Sequence, residues 1–166
     1  MKILFFLILI LALSRCTTKK EESIVISQGF SQNPIEPRKA FKVTNNLDLY
    51  FCIEHAKTKK YNYYHSKIDE KKWSNLKLAV ERLVDLNKKG LNENLVDLPI
   101  SEIEYNLNNL SGKIENCTIR PNKEFIILLE LLDTLDSSQA QKIDYYPFKS
   151  KVLFEDFTIP PPIERN

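Results

Sequence analysis

Cys52 and His55 lie three positions apart in Tyr50-Phe51-Cys52-Ile53-Glu54-His55-Ala56. On a helix that spacing puts both on one face, where an imidazole could draw a proton from a thiol nucleophile. Such chemistry needs a free thiolate and a third group to orient the base, and no orienting group is evident nearby. The second histidine, His65, likewise has no companion at HExxH or CxxC spacing, so no metal site is expected. The carboxylate pairs Asp69 with Glu70 and Glu102 with Glu104 fall at predicted helix starts. Negative charge is stabilising there, so their role reads as structural, not acid–base. There is no GxSxG elbow, no P-loop and no Rossmann fingerprint, and neither enzymatic activity nor a cofactor is expected.

The first residues carry an address instead. Lys2 precedes eleven consecutive apolar residues, Ile3 to Leu13. The run is too short for the roughly 20 residues of a spanning helix and fits the core of a secretory signal. It closes on Leu13-Ser14-Arg15-Cys16, which resembles a bacterial lipobox at Leu13, Ser14 and Cys16 and departs from it at Arg15. Three outcomes stay open: lipidation at Cys16, cleavage to a soluble form, or retention as an uncleaved anchor. The expected location is the periplasm, with the domain held to the membrane by a lipid on Cys16. Residues 1–15 read as the signal peptide and 16–44 as a tether and lead-in.

The full chain has 166 residues, a formal charge of +2 and three cysteines, and 43% of it is hydrophobic, which suits one globular domain. Losing residues 1–15 removes Lys2 and Arg15 and no acid, so the mature charge is zero. That balance gives no reason to expect nucleic acid as a partner. If Cys16 is lipidated, Cys52 and Cys117 form an even pair in an oxidising compartment, and a disulfide between them is expected. It would close a loop of about 65 residues, worth about 4 kcal/mol in the chain-entropy picture.

Residues 45–136 read as helical, giving an all-α fold: a small bundle of four to five helices. Leu47, Tyr50, Phe51 and Leu49, Cys52, Ile53, Ala56 recur at spacings of three and four. Ser66 and Asp69 can open a second helix whose buried stripe is Trp73, Leu76, Ala79, Val80, Leu83, Val84 and Leu86, with Gly90 as its stop. Ser101 with Glu104 has the spacing of a capping box, and Gly112 would end that helix. Phe125 to Leu135, nearly all apolar, reads as the central helix. Earlier in the chain, Ile24-Val25-Ile26 could add a short strand. Residues 137–166 read as a tail, extended or a short strand, packed on the domain.

Two segments qualify as a partner surface. Tyr61, Tyr63, Tyr64 and His65 follow a run of lysines, and tyrosines bury area at little entropic cost. Capping of the helical core by the same rings is the plainer reading. Glu93 and Asn94 lie in the second segment, Leu91 to Pro99, between predicted helices.

A signal, a cysteine within Tyr50 to Ala56, a middle helix ending in Arg82-Leu83-Val84 and a second cysteine in Asn116-Cys117-Thr118-Ile119-Arg120 follow one another in this order. Over residues 45–136 this order resembles the periplasmic immunity proteins of type VI secretion amidase effectors. The resemblance implies a small all-helical protein, often a homodimer, that sterically obstructs a secreted peptidoglycan amidase without catalysis or cofactor. The alternative expectation is an envelope lipoprotein with a structural or assembly role.

Overall fold

A computed structural model describes residues 21–29, 37–88, 101–108, 110–114, 127–128, 130–131, 134 and 137–154. Leu49, Phe51 and Ile53 point to one side of their segment, and Tyr50, Cys52 and Glu54 to the other. That is a period of two, so the segment is a strand. It is β3 (Asp48–Glu54), and the chain around it is built the same way: β1 (Ser23–Gln28), β2 (Lys39–Thr44), β4 (Tyr61–Lys67), β5 (Ser101–Leu107), β6 (Leu110–Ile114) and β7 (Gln141–Ile143). All neighbours are antiparallel, in the order β6-β5-β1-β2-β3-β4-β7.

The helical-bundle expectation is therefore wrong. The predicted first helix is the β3 strand. A run of consecutive apolar residues satisfies helical and strand spacing alike, and its aromatic and β-branched content favours the strand. The supposed capping box at Ser101 and Glu104 lies within β5. There Ile103, Tyr105 and Leu107 are buried on one face, and the two carboxylates lie on the other. Gly112 is inside β6 and ends nothing. The lead-in supplies β1 and β2, central strands of the sheet, so the suggestion of a strand at Ile24 to Ile26 stands.

One predicted helix is described in full. Helix α1 (Glu70–Lys88) connects β4 to β5. Asp69 caps it, with its Oδ1 accepting from the Lys72 amide at 2.7 Å. Trp73, Leu76, Ala79, Val80, Leu83 and Val84 are buried as the stripe requires, and Leu86 is half-buried. The stripe packs on Ile24, Ile26, Phe41, Val43, Phe51 and Ile103, the inward residues of four strands. Ile127, Leu128, Glu130 and Leu131 are helical too, and Leu128 and Leu131 join the same core. The predicted stop at Gly90 lies outside the described residues.

The other face of the sheet is covered by different means. Residues 144–150 run across it as an irregular strap that ends in the short helix α2 (Lys151–Phe154), packed near β1. Phe148 and Leu153 press on Ala40 and Cys52 in a second, smaller core. The sheet is thus a middle layer, with helix on one side and the strap on the other. Among the described residues, three turns carry positive φ, at Leu47 (63°), Lys59 (54°) and Asn108 (43°). Left-handed backbone costs an L-residue about 1 kcal/mol, and a chain with three glycines has few to place at its turns.

Candidate functional site

The strap face owes its character to one row of side chains running across every strand. In register these are Lys113, Glu104, Val25, Lys42, Tyr50, His65 and Gln141. The row is charged over β6, β5 and β2 and aromatic over β3 and β4. The strap covers its aromatic half and only borders its charged half, because tyrosine rings offer apolar area to bury and ammonium groups do not.

On the aromatic half, Tyr50 stacks on His65 at 4.7 Å and on Tyr146 of the strap at 4.2 Å between ring centroids. Tyr146 is tilted against Phe148 at 5.2 Å, and Tyr63 meets Tyr145 edge-on at the same distance. The Tyr61 hydroxyl donates to the Leu153 carbonyl, tying β4 to α2. Burial raises the phenol pKa of both Tyr61 and Tyr63, so these hydroxyls stay protonated donors. His65 Nε2 donates to Asp48 Oδ1 at 2.8 Å, and Lys67 reaches the same oxygen at 2.7 Å.

On the charged half the strap stands off the sheet and leaves a cleft of about 300 Å³. Ser23, Val25 and Ser27 of β1 form its floor; Lys42, Glu102, Glu104 and Lys113 flank it, and Tyr146 to Ser150 close one side. Glu102 is buried there, accepting from the Ser150 hydroxyl at 2.7 Å and from Lys113 Nζ at 3.2 Å. Lys42 makes an ion pair with Glu21 at 3.2 Å and lies 5.9 Å from the Tyr146 ring centre. Burial alone would lower the Lys42 pKa, but its contacts with Tyr146 and Glu21 outweigh that and raise it. The cleft therefore offers fixed charges of both signs around a serine-lined floor. It can hold a polar group by charge and hydrogen bonding, and its lining holds no histidine or cysteine.

The residues predicted from sequence are only partly brought together. Tyr61, Tyr63 and His65 share the strap face, but Tyr64 points the other way and stacks on Phe51 at 5.0 Å in the helix-side core. None of them is in a loop; all four lie in β4 and are half-buried. Cys52 and His55 do not form a pair. Cys52 is a free thiol buried beneath Phe148 and Leu153, with its pKa pushed up to about 12 by burial. His55 is exposed beyond the end of β3, where its Nδ1 accepts from the Thr58 amide at 3.4 Å. Cys117 (expected to pair with Cys52), Cys16 (the expected lipidation site), and Glu93 with Asn94 lie outside the described residues.

Sequence reading missed Lys42, Lys113 and Ser150, and it placed Glu102 and Glu104 at a helix start where the structure has a strand. The signal was present in the alternation of SEIEYNL, where every second residue is polar. Among the described residues, no group of three or more His, Cys, Asp or Glu is placed to hold a metal ion. Among them, too, no helix is long and apolar enough to cross a membrane. No protein-family model, no curated protein and no solved structure matches this chain. Its function is therefore argued from the site itself.

Proposed function

We propose that this is an exported bacterial lipoprotein of the envelope, anchored in the periplasm through Cys16, which acts by binding and not by catalysis. One observation carries the binding half of this reading. The buried carboxylates of the strap face are committed to structural partners, Glu102 to Ser150 and Lys113, and Glu54 to Arg38. A carboxylate held by two donors is a poor general base, and a buried protonated thiol is a poor nucleophile. What the face still offers is the mixed-charge cleft and the exposed ring of Tyr145 at its aromatic end. The anchoring half rests on Leu13-Ser14-Arg15-Cys16.

Steric inhibition of a peptidoglycan amidase was the function implied by the family resemblance. That resemblance rested on an order of helices which the sheet replaces, so the envelope role is carried forward in its place. Cell fractionation with the wild type and a Cys16→Ser variant tests the reading. The wild type is expected with membranes, bearing lipid on Cys16 by mass spectrometry, and the variant in the soluble periplasm. Equal partition of the two overturns anchoring. A hydrolytic activity on peptide, ester or glycan substrates that disappears with Glu102→Gln overturns the binding reading.

A further inference from the structure

We infer that the lipid on Cys16 holds the domain against the membrane by one defined rim of its sheet; this rests on the lipoprotein reading above. The start of β1 is fastened immediately before its first residue. The Glu21 carbonyl accepts from Asn106 Nδ2 at 2.7 Å, and the Glu22 carbonyl accepts from the Asn45 amide at 3.0 Å. The Glu22 carboxylate accepts from Lys77 at 3.0 Å and from the Asn108 amide at 3.1 Å. Only five residue steps separate Cys16 from Glu21, so even a fully extended chain spans no more than about 18 Å.

Antiparallel pairing gathers the same end of six strands at this rim: the β2–β3 turn at Asn45 and Asn46, the end of β4 at Lys67, and the β5–β6 turn at Asn108. Asn46, Lys67 and Asn108 are exposed and polar, which suits contact with lipid headgroups and not entry into hydrocarbon. The opposite rim, including the β3–β4 turn at Lys57, is a strand length farther away, about 20 Å. A leash of that length keeps the Glu21 rim within its reach of the bilayer in every orientation, while nothing holds the opposite rim there. Averaged over orientations, Asn46 therefore lies nearer the headgroups than the turn at Lys57.

The test uses the full-length lipoprotein purified from membranes and reconstituted into vesicles whose headgroups carry a short-range quencher. Fluorophores are placed on Asn46→Cys or Lys57→Cys, and wild type taken through the same labelling gives the background from native thiols. The expected result is quenching several-fold stronger at 46 than at 57. Inserting a twelve-residue Gly-Ser segment between Lys20 and Glu21 should remove most of that difference. Equal quenching at both positions, stronger quenching at 57, or no effect of the longer tether overturns the inference. Failure of the wild type to float with vesicles is seen before any quenching is measured. It sinks the anchoring reading, and the orientation with it.

Discussion

Arg38 and Glu54 illustrate how buried charge is handled in this molecule. Arg38 Nη2 donates to Glu54 Oε1 at 2.9 Å, the Arg38 amide donates to the other carboxylate oxygen at 3.2 Å, and both side chains are almost wholly buried. Removing one member of such a pair leaves its partner's charge in a poor solvent, so Glu54→Ala should cost about 3 kcal/mol in urea unfolding. Replacing both members by apolar residues, as in Arg38→Met with Glu54→Leu, should cost much less. Burial opposes ionisation of Glu54, but the Arg38 bonds outweigh it and hold the carboxyl below its ordinary range. Lys67 first, then His65, holds the Asp48 carboxyl low as well. A depressed folded pKa contributes stability above the unfolded value, and that contribution is lost as pH falls through the folded one. The unfolding midpoint should therefore be flat between about pH 5 and 8 and decline below about pH 4. Asp48→Asn should remove part of that decline, and an unchanged acid limb would count against the assignment.

Among the elements, the β5–β6 hairpin depends on a glycine for packing space. Gly112 lies directly opposite Tyr105, and a Cβ there would come within 2.7 Å of the Tyr105 hydroxyl and 3.0 Å of its ring. Tyr105 covers this bare stretch of β6 and is itself buried against the helix-side core. Gly112→Ala must push the ring aside, at an expected cost of about 1–2 kcal/mol. In a Tyr105→Val background the same change should cost little, and a double-mutant cycle measures the coupling. A cost independent of residue 105 would show that the glycine is needed for its backbone instead. Helix α1 is the element best legible in sequence, because its opening at Ser66 and Asp69 and its stripe from Trp73 to Val84 both point to a helix. Strand β3 was not legible as a strand, and in β5 a helix-like spacing masked the period-two alternation of SEIEYNL. Consecutive apolar residues and a chance Ser-x-x-Glu spacing fitted helix rules equally well, and only pairing partners distant in sequence decide between them.

At the scale of the whole molecule the strap gives the sheet its second layer. Phe148 and Leu153 seal Cys52, whose thiol stays protonated at neutral pH because burial raises its pKa to about 12. Modification of Cys52 should then proceed only when the strap lifts, and Phe148→Ala should speed its labelling by a thiol reagent at least tenfold, about 1.4 kcal/mol of opening free energy. Peptide mass spectrometry would separate Cys52 from the other cysteines. Labelling as slow in the variant as in the wild type would show that the strap is not what protects the thiol.

The sequence by itself determined the composition-level facts and the local ones: the apolar run from Ile3 to Leu13, the poverty of catalytic motifs, a helix opening near Asp69 and the apolar stripe that α1 buries. Each depends on residues within one or two turns of each other. Only the tertiary structure decided that Val25, Lys42, Glu102, Glu104 and Lys113 share one face, and that residues 146–150 wall their cleft. Those neighbours come from separate parts of the chain. Sheet register, set by burial of the alternate face, brings them together, and no local period records it.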